Sequence, residues 1–188
     1  MMSPVNTKLP MNIIVAVDNK MGIGKNGKIP WRLPVDMKRF CRLTTETIDK
    51  NKKNAVLMGR KVWESIPETN RPLKNRLNVV LSTTMPEPED GSYVVARSFE
   101  VALDLLDEMK DKIETIWNIG GRRVYEDGLR SPQLNQLAFT YVDGDFHADV
   151  YFPRMDMTKF AKIENGKDEC NAVEGDIKYN FVTYQCFS

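Results

Sequence analysis

Histidine is almost missing from this chain: His147 is the only one in 188 residues. A lone imidazole in a polar stretch makes Ser–His or Cys–His nucleophilic catalysis a poor expectation, and His147 is given no role. Cysteine is scarce as well. Cys41, Cys170 and Cys186 are widely spaced and form no CxxC pair, which argues against a zinc site or a redox dithiol and leaves three thiols in a reducing cytosol as the default. No metal is expected. Charge of one sign is also lacking. With 27 Lys and Arg against 26 Asp and Glu, the net charge is +1, so there is no general electrostatic reason to bind nucleic acid or an anionic membrane. Long apolar runs are absent; none approaches the ~18 residues of a membrane helix. The opening MMSPVNTKLP is polar, with two prolines and no apolar segment, so it does not read as a secretory signal.

What is present is a globular composition, 41% hydrophobic and 28% charged. The length suits one domain over 1–188, with 1–10 as a flexible N-terminal extension. Strand-like apolar runs recur at 12–17, 55–58, 78–81, 93–95, 115–119, 137–142 and 179–187. Helical patterns fall between several of them. Pro34 suits a first helical position and is followed by Asp36, Phe40 and Leu43 at i, i+4 and i+7. Phe99, Ala102, Leu103 and Leu106 repeat the spacing behind Ser98 as N-cap. Shorter patterns lie at 61–66 and 122–129. This alternation predicts an α/β fold, a doubly wound and mostly parallel mixed sheet flanked by helices. No helical pattern separates the last two strands. Their connection, 143–178, reads as a polar loop, so the C-terminal strand is expected to be antiparallel.

The chemistry-bearing stretch is 21–40, MGIGKNGKIPWRLPVDMKRF. Gly22, Gly24 and Gly27 satisfy GxGxxG and come within one residue of a P-loop, where Ile29 replaces the Ser or Thr. Both motifs require a helix to begin at the last glycine. Pro30 pushes residue 29 into extended geometry, so both are rejected. What is left is either a mobile loop over a strand end or an ordinary turn. Asp36 reads either as a desolvated acid with a raised pKa, suited to proton donation, or as a solvated helix-start acid favoured by the helix dipole. Two strand–glycine–helix junctions follow, Met58-Gly59-Arg60-Lys61 and Asn118-Ile119-Gly120-Gly121-Arg122. With Ser82-Thr83 and Arg97 they place cations, hydroxyls and open backbone at successive strand ends. That arrangement suits a ribose phosphate, whereas an NAD site would want an acid there. Arg76 closes a basic loop, 70–76, and a guanidinium can clamp a carboxylate.

Taken in order, these residues resemble the dihydrofolate reductase family. The matching segments are Ile14-Val15-Ala16-Val17 leading to MGIGKNGKIPW, the acid at 36, GRKVWESIP, NRPLKNRLNVVLS, IGGRRVY and YFP at 151–153. The resemblance implies a stand-alone, cytoplasmic, monomeric enzyme that reduces 7,8-dihydrofolate to 5,6,7,8-tetrahydrofolate with NADPH, supplies one-carbon and thymidylate metabolism, and is bound by antifolates such as methotrexate. By the same resemblance Asp36 holds the pterin and promotes protonation of N5, Trp31 helps hold a water beside it, and Thr140 belongs to the same polar network. Ile14, Val15, Met37, Phe40, Ile66 and Leu73 match walls of the folate pocket, and Arg76 matches the clamp on the glutamate α-carboxylate. Ala16, Ile23, Ile119 and Tyr125 match positions around nicotinamide, and Gly120 and Gly121 the pyrophosphate turn. Arg60, Lys61 and Ser82 match the adenosine-phosphate end. Gly24, Gly59, Val62, Thr83, Arg97, Arg122 and Val124 complete the implied cofactor set, and the glycine loop becomes a lid. Val62 stands where the family usually has threonine. Thr83 and Asp36 stand where vertebrate members have arginine and glutamate, and the Trp31–Asp36 segment is one residue shorter than theirs, so pocket shape and NADPH contacts should differ from those of vertebrate members. The rival readings are a related NADPH reductase with another substrate, a phosphoryl-transfer enzyme and an inactive binding module.

Overall fold

The computed structural model describes residues 8–164 and 171–187. Its organising strand is β1, Met11–Val17, where six of seven residues are buried. A strand apolar on both faces belongs inside a sheet covered by helices on both sides. The chain continues through β2 (Gly22–Gly24), α1 (Pro34–Thr45), β3 (Lys53–Gly59), α2 (Arg60–Ser65), β4 (Leu77–Leu81) and β5 (Val94–Ala96). It then runs through α3 (Phe99–Asp107), β6 (Ile113–Asn118), α4 (Arg122–Arg130) and β7 (Leu134–Val142). The last elements are β8 (Val150–Tyr151), β9 (Phe160–Ile163), β10 (Asn171–Glu174) and β11 (Ile177–Cys186).

Among the described residues the main sheet has nine strands in the order β10-β11-β7-β1-β6-β3-β4-β5, with β9 also on β11. The pairs from β7 to β5 are parallel, and β11 joins β7 antiparallel. The expected mostly parallel mixed sheet with an antiparallel C-terminal strand is therefore what forms. The 143–178 connection is a correction. It is not simply a loop, for it carries β8, β9, β10 and a 3₁₀ turn at Met157–Lys159. Residues 8–10 are another: Leu9 is buried and its N–H donates to Asp107 Oδ1 at 3.0 Å, so this part of the expected flexible extension is anchored. Residues 1–7 and Cys170 lie outside the described residues. Cys41 and Cys186 are free thiols.

Side-chain alternation sorts the core. Ala55, Leu57 and Val79 meet Phe99, Ala102 and Leu106 of α3 on one face. Ile13, Val15 and Val17 meet Tyr125 of α4 together with Leu137, Phe139 and Phe152. On the other face Ile14, Val56 and Met58 lie with Trp63 of α2, and Phe40 and Leu43 of α1 close over them. Each such side chain contributes about 1.5–3 kcal/mol by leaving water. The connection leaving β1 passes to β3, beyond β6, and the connection leaving β6 passes to β7, beyond β1. The two therefore part over the C-terminal ends of β1 and β6, the kind of crevice in which open α/β sheets bind ligands. No helix among the described residues is long and apolar enough to cross a membrane.

Candidate functional site

Asp36 sits in the first turn of α1, which begins at Pro34 because proline has no N–H to lose there. No side chain of the preceding residue caps this helix; instead Val35 N–H donates to Glu174 Oε2 of β10 at 3.3 Å. The Asp36 carboxyl is half-buried, and Thr140 Oγ1 on β7 donates to its Oδ1 at 2.6 Å. Burial pushes its pKa above the ordinary carboxylate value. The Thr140 bond and the charge of Arg39 work against that rise, and Glu174 adds to it. Of the two readings of Asp36, the desolvated acid is the one its surroundings favour. Arg39, assigned no role in the sequence reading, is only 6% exposed and lies 4.2 Å over the Phe181 ring. Phe181 is the cross-strand partner of Thr140. Trp31 is buried edge-on against Phe146, with ring centroids 5.2 Å apart.

Ile14 belongs to the buried cluster beside this acid, and Phe40, Ile66 and Leu73 pack half-buried against that cluster. Met37 does not join it and is 52% exposed. Arg76 is half-buried at the end of the 73–76 loop. Its Nη1 donates to Thr44 Oγ1 at 3.0 Å and its Nε to Lys74 O at 2.9 Å. Burial draws its pKa down and the nearby Cys41 opposes that. Buried Asn78 fixes the loop by accepting from Leu73 N–H and donating to the carbonyls of Leu73 and Arg76.

A cavity of about 570 Å³ opens at the strand ends; Asp36 and Thr140 do not line it, but Ala16, the register partner of Thr140, does. Near β1 its wall is apolar, formed by Val15, Ala16, Ile23, Trp31, Ile119 and Tyr125. Where α2 and α4 begin, the wall is Gly59, Arg60, Lys61 and Val62 together with Gly121, Arg122, Arg123 and Val124. Gly24 lines it from the lid, with Gly27, Lys28 and Ile29. Twelve of the sixteen expected cofactor residues thus meet in one space. Gly120 stands behind the wall, where its carbonyl accepts from Gly59 N–H at 2.8 Å. Tyr125 donates its hydroxyl to Ile14 O at 2.9 Å, and full burial pushes its pKa up.

Ser82, Thr83 and Arg97 are the other exceptions. The Arg97 guanidinium is committed to the carbonyls of Ser82 and Met85, at 3.0 and 2.6 Å, and Ser82 Oγ accepts from Thr84 and Met85 N–H. These groups close the β4–β5 connection, and none of the three residues lines the cavity. Arg60 lines it but is already engaged, with Nε 2.8 Å from Glu64 Oε1 and Nη1 donating to Thr84 Oγ1 at 2.9 Å. The sequence reading also missed Lys28, Ser65, Arg123 and Val150 as lining residues. Of these, Lys28 and Arg123 carried a signal, being cations within two residues of the glycines already singled out.

The glycine loop is no phosphate cradle, since no helix begins at Gly27. Its β2 pairs with β8, and the buried Asp18 carboxylate ties its root down by accepting from the N–H groups of Lys20, Gly22 and Phe146 at 2.9, 2.8 and 3.1 Å. The loop therefore overhangs the cavity from a fixed root.

Comparison with known proteins bears on this geometry. The family model for dihydrofolate reductase matches residues 10–186. A putative dihydrofolate reductase of Caenorhabditis elegans is 47% identical over 181 residues, covering 93% of this chain and 96% of that protein. The dihydrofolate reductase of Sus scrofa is 42% identical over 185 residues, covering 94% and 97%. The solved Schistosoma mansoni dihydrofolate reductase superposes with a TM-score of 0.84 at 33% identity, covering 96% of this chain and all of that one.

Proposed function

Because the chain belongs to the dihydrofolate reductase family, we infer that it reduces 7,8-dihydrofolate to 5,6,7,8-tetrahydrofolate with NADPH. The observation that carries the reading within the molecule is the 2.6 Å contact between Thr140 and Asp36, made next to a cation-lined cavity. The cavity suits NADPH. Its apolar wall accepts a flat ring, and Arg60, Lys61, Arg122 and Arg123 offer charge for phosphates. At Gly121 an added Cβ would meet only Val62, at 3.8 Å, so the backbone there is open to close approach. Bound NADPH supplies the hydride, which adds to pterin C6 as a proton reaches N5, leaving NADP⁺ and tetrahydrofolate.

The remaining steps are assigned to side chains of this chain. Asp36 accepts from the pterin amino group and ring nitrogen and holds a proton for N5, a task its raised pKa supports. Thr140 orients that carboxyl, and Trp31 keeps a water beside it. Ile14, Val15, Phe40, Ile66 and Leu73 provide the apolar surface for the rings, with Met37 covering them once substrate is bound. Arg76, preset by Asn78, clamps the glutamate α-carboxylate. The 22–29 lid excludes water, which strengthens the electrostatics inside. The proposal extends to a single domain acting as a cytoplasmic monomer, with no nucleic-acid or membrane partner. A net charge of +1 supports the last of these, since it gives no general attraction for anionic partners.

The test is loss of NADPH absorbance on adding dihydrofolate, blocked by methotrexate. Asp36→Asn should lose roughly 10²–10⁴-fold in turnover at neutral pH. Normal turnover in that variant would remove Asp36 from the role.

A further inference from the structure

β6 ends on Asn118, which is completely buried. A buried amide is costly unless its donor and acceptor are satisfied, and both are. Oδ1 accepts from Gly120 N–H at 3.1 Å, and Nδ2 donates to Val124 O at 2.8 Å. One side chain thus joins the strand end, the diglycine turn and the first turn of α4.

Two neighbours are shaped around this arrangement. Gly128 of α4 leaves room for the amide, because a Cβ there would lie 2.5 Å from Asn118 Nδ2 and 3.2 Å from Ile13 Cδ1. Glycine inside a helix is unfavourable relative to alanine, so its presence over Asn118 needs a reason, and the amide provides one. On the opposite side of the turn, a Cβ on Gly120 would lie 2.6 Å from the Tyr125 ring. Gly120 has φ +97°, a conformation open to glycine. The turn is therefore held by the Asn118 amide, by the Tyr125 ring and by Gly59 N–H on the Gly120 carbonyl. An aliphatic residue at 118 would satisfy β6 and the surrounding core without any of these bonds.

We propose that Asn118 is a positioning residue for NADPH: it sets the Gly120–Gly121 turn and the start of α4, so that Gly121 and Arg122 face the cavity in the arrangement that receives the diphosphate. This rests on the cavity being the NADPH site.

Asn118→Leu removes both bonds while keeping the volume apolar. It should weaken NADPH, measured by quenching of protein fluorescence, about tenfold or more, the effect of an unsatisfied buried donor on the turn that binds the ligand. Methotrexate binding to the cofactor-free protein should stay within twofold. So should binding of adenosine 2′-phosphate, which lacks the diphosphate altogether. Gly128→Ala, which crowds the amide from the helix side and does not line the cavity, should weaken NADPH in the same selective way and serves if the leucine variant fails to fold. Leu106→Ala, fully buried under α3, provides a comparison that lowers Tm without touching the turn. An unchanged NADPH Kd in both variants, an equal loss for adenosine 2′-phosphate, or an equal NADPH loss in Leu106→Ala would overturn the positioning role alone. Failure of the wild type to bind NADPH would overturn the cavity reading, and the positioning role with it.

Discussion

Replacing Thr140 by valine removes one hydroxyl and little else. Valine keeps the branched shape and suits the interior of β7. The lost bond is short, 2.6 Å from Thr140 Oγ1 to Asp36 Oδ1, as expected for a hydroxyl donating to a carboxylate. A hydrogen bond to an ionised group is worth about 1.5–3 kcal/mol and one between neutral groups about 0.5–1.5 kcal/mol. The hydroxyl therefore favours the ionised form of Asp36 by about 1–1.5 kcal/mol, and about 1.4 kcal/mol corresponds to one pH unit. Its removal disfavours the carboxylate further, adding to the effect of burial, so the acid stays protonated to higher pH. If Asp36 must carry a proton for turnover, activity falls as pH rises, and in Thr140→Val that fall should occur about one pH unit later. Stopped-flow measurement of hydride transfer between pH 5 and 10, at saturating NADPH and dihydrofolate, reads the midpoint directly. The low-pH plateau reports separately on lost orientation. An unmoved midpoint, or one displaced downward, would show that Thr140 does not act on the ionised acid or that Asp36 is not the titrating group.

Two further outcomes test the flanks of the site. Arg76→Met should raise the KM for dihydrofolate about 10- to 100-fold, the worth of a charged hydrogen bond, and leave a pterin without the glutamate tail unaffected. An equal loss with both compounds would refute the clamp. Glu64→Ala should release Arg60 from its 2.8 Å partner and tighten NADPH about twofold at low salt, a gain that fades in high salt. Weaker NADPH binding in this variant would mean that the pair orients Arg60 and does not compete for it.

The parts of the fold that could be read in advance are those whose signal is local. β1 and β3 are mostly apolar on both faces and β6 and β7 hold shorter apolar runs, Ile116-Trp117 and 137–139, so they stand out in the sequence. α1 announces itself through Pro34 and the spacing of Asp36, Phe40 and Leu43. The strands missed within 143–178 are two to four residues long. No period can develop over such lengths, and their pairing is decided by partners elsewhere, β2 for β8 and β11 for β9 and β10. The site divides in the same way. Asp36 was visible as an acid on an apolar face, but Thr140, 104 residues away, was linked to it only through the family resemblance. Arg39 received no role, because nothing near it in sequence announces Phe181. Arg97 had the right charge at the right strand end. Its commitment to two loop carbonyls depends on the path of the β4–β5 connection, which no spacing encodes.

The centrality of β1 has a consequence for how the chain is assembled during synthesis. β1 comes first among the described strands, yet both of its neighbours come late: Met11 pairs with Ile116 on one side and Leu134 on the other. An apolar strand with two open edges must wait through more than half the chain before either is covered. The protein is thus built around high contact order at its centre, which slows folding and leaves the nascent chain exposed to misassociation. Because Ala16 of the cavity wall is paired with Thr140 in the last parallel strand, the proposed pterin and cofactor sites can become competent only when this early strand is finally enclosed. Partly synthesised chains are therefore expected to carry no residual activity.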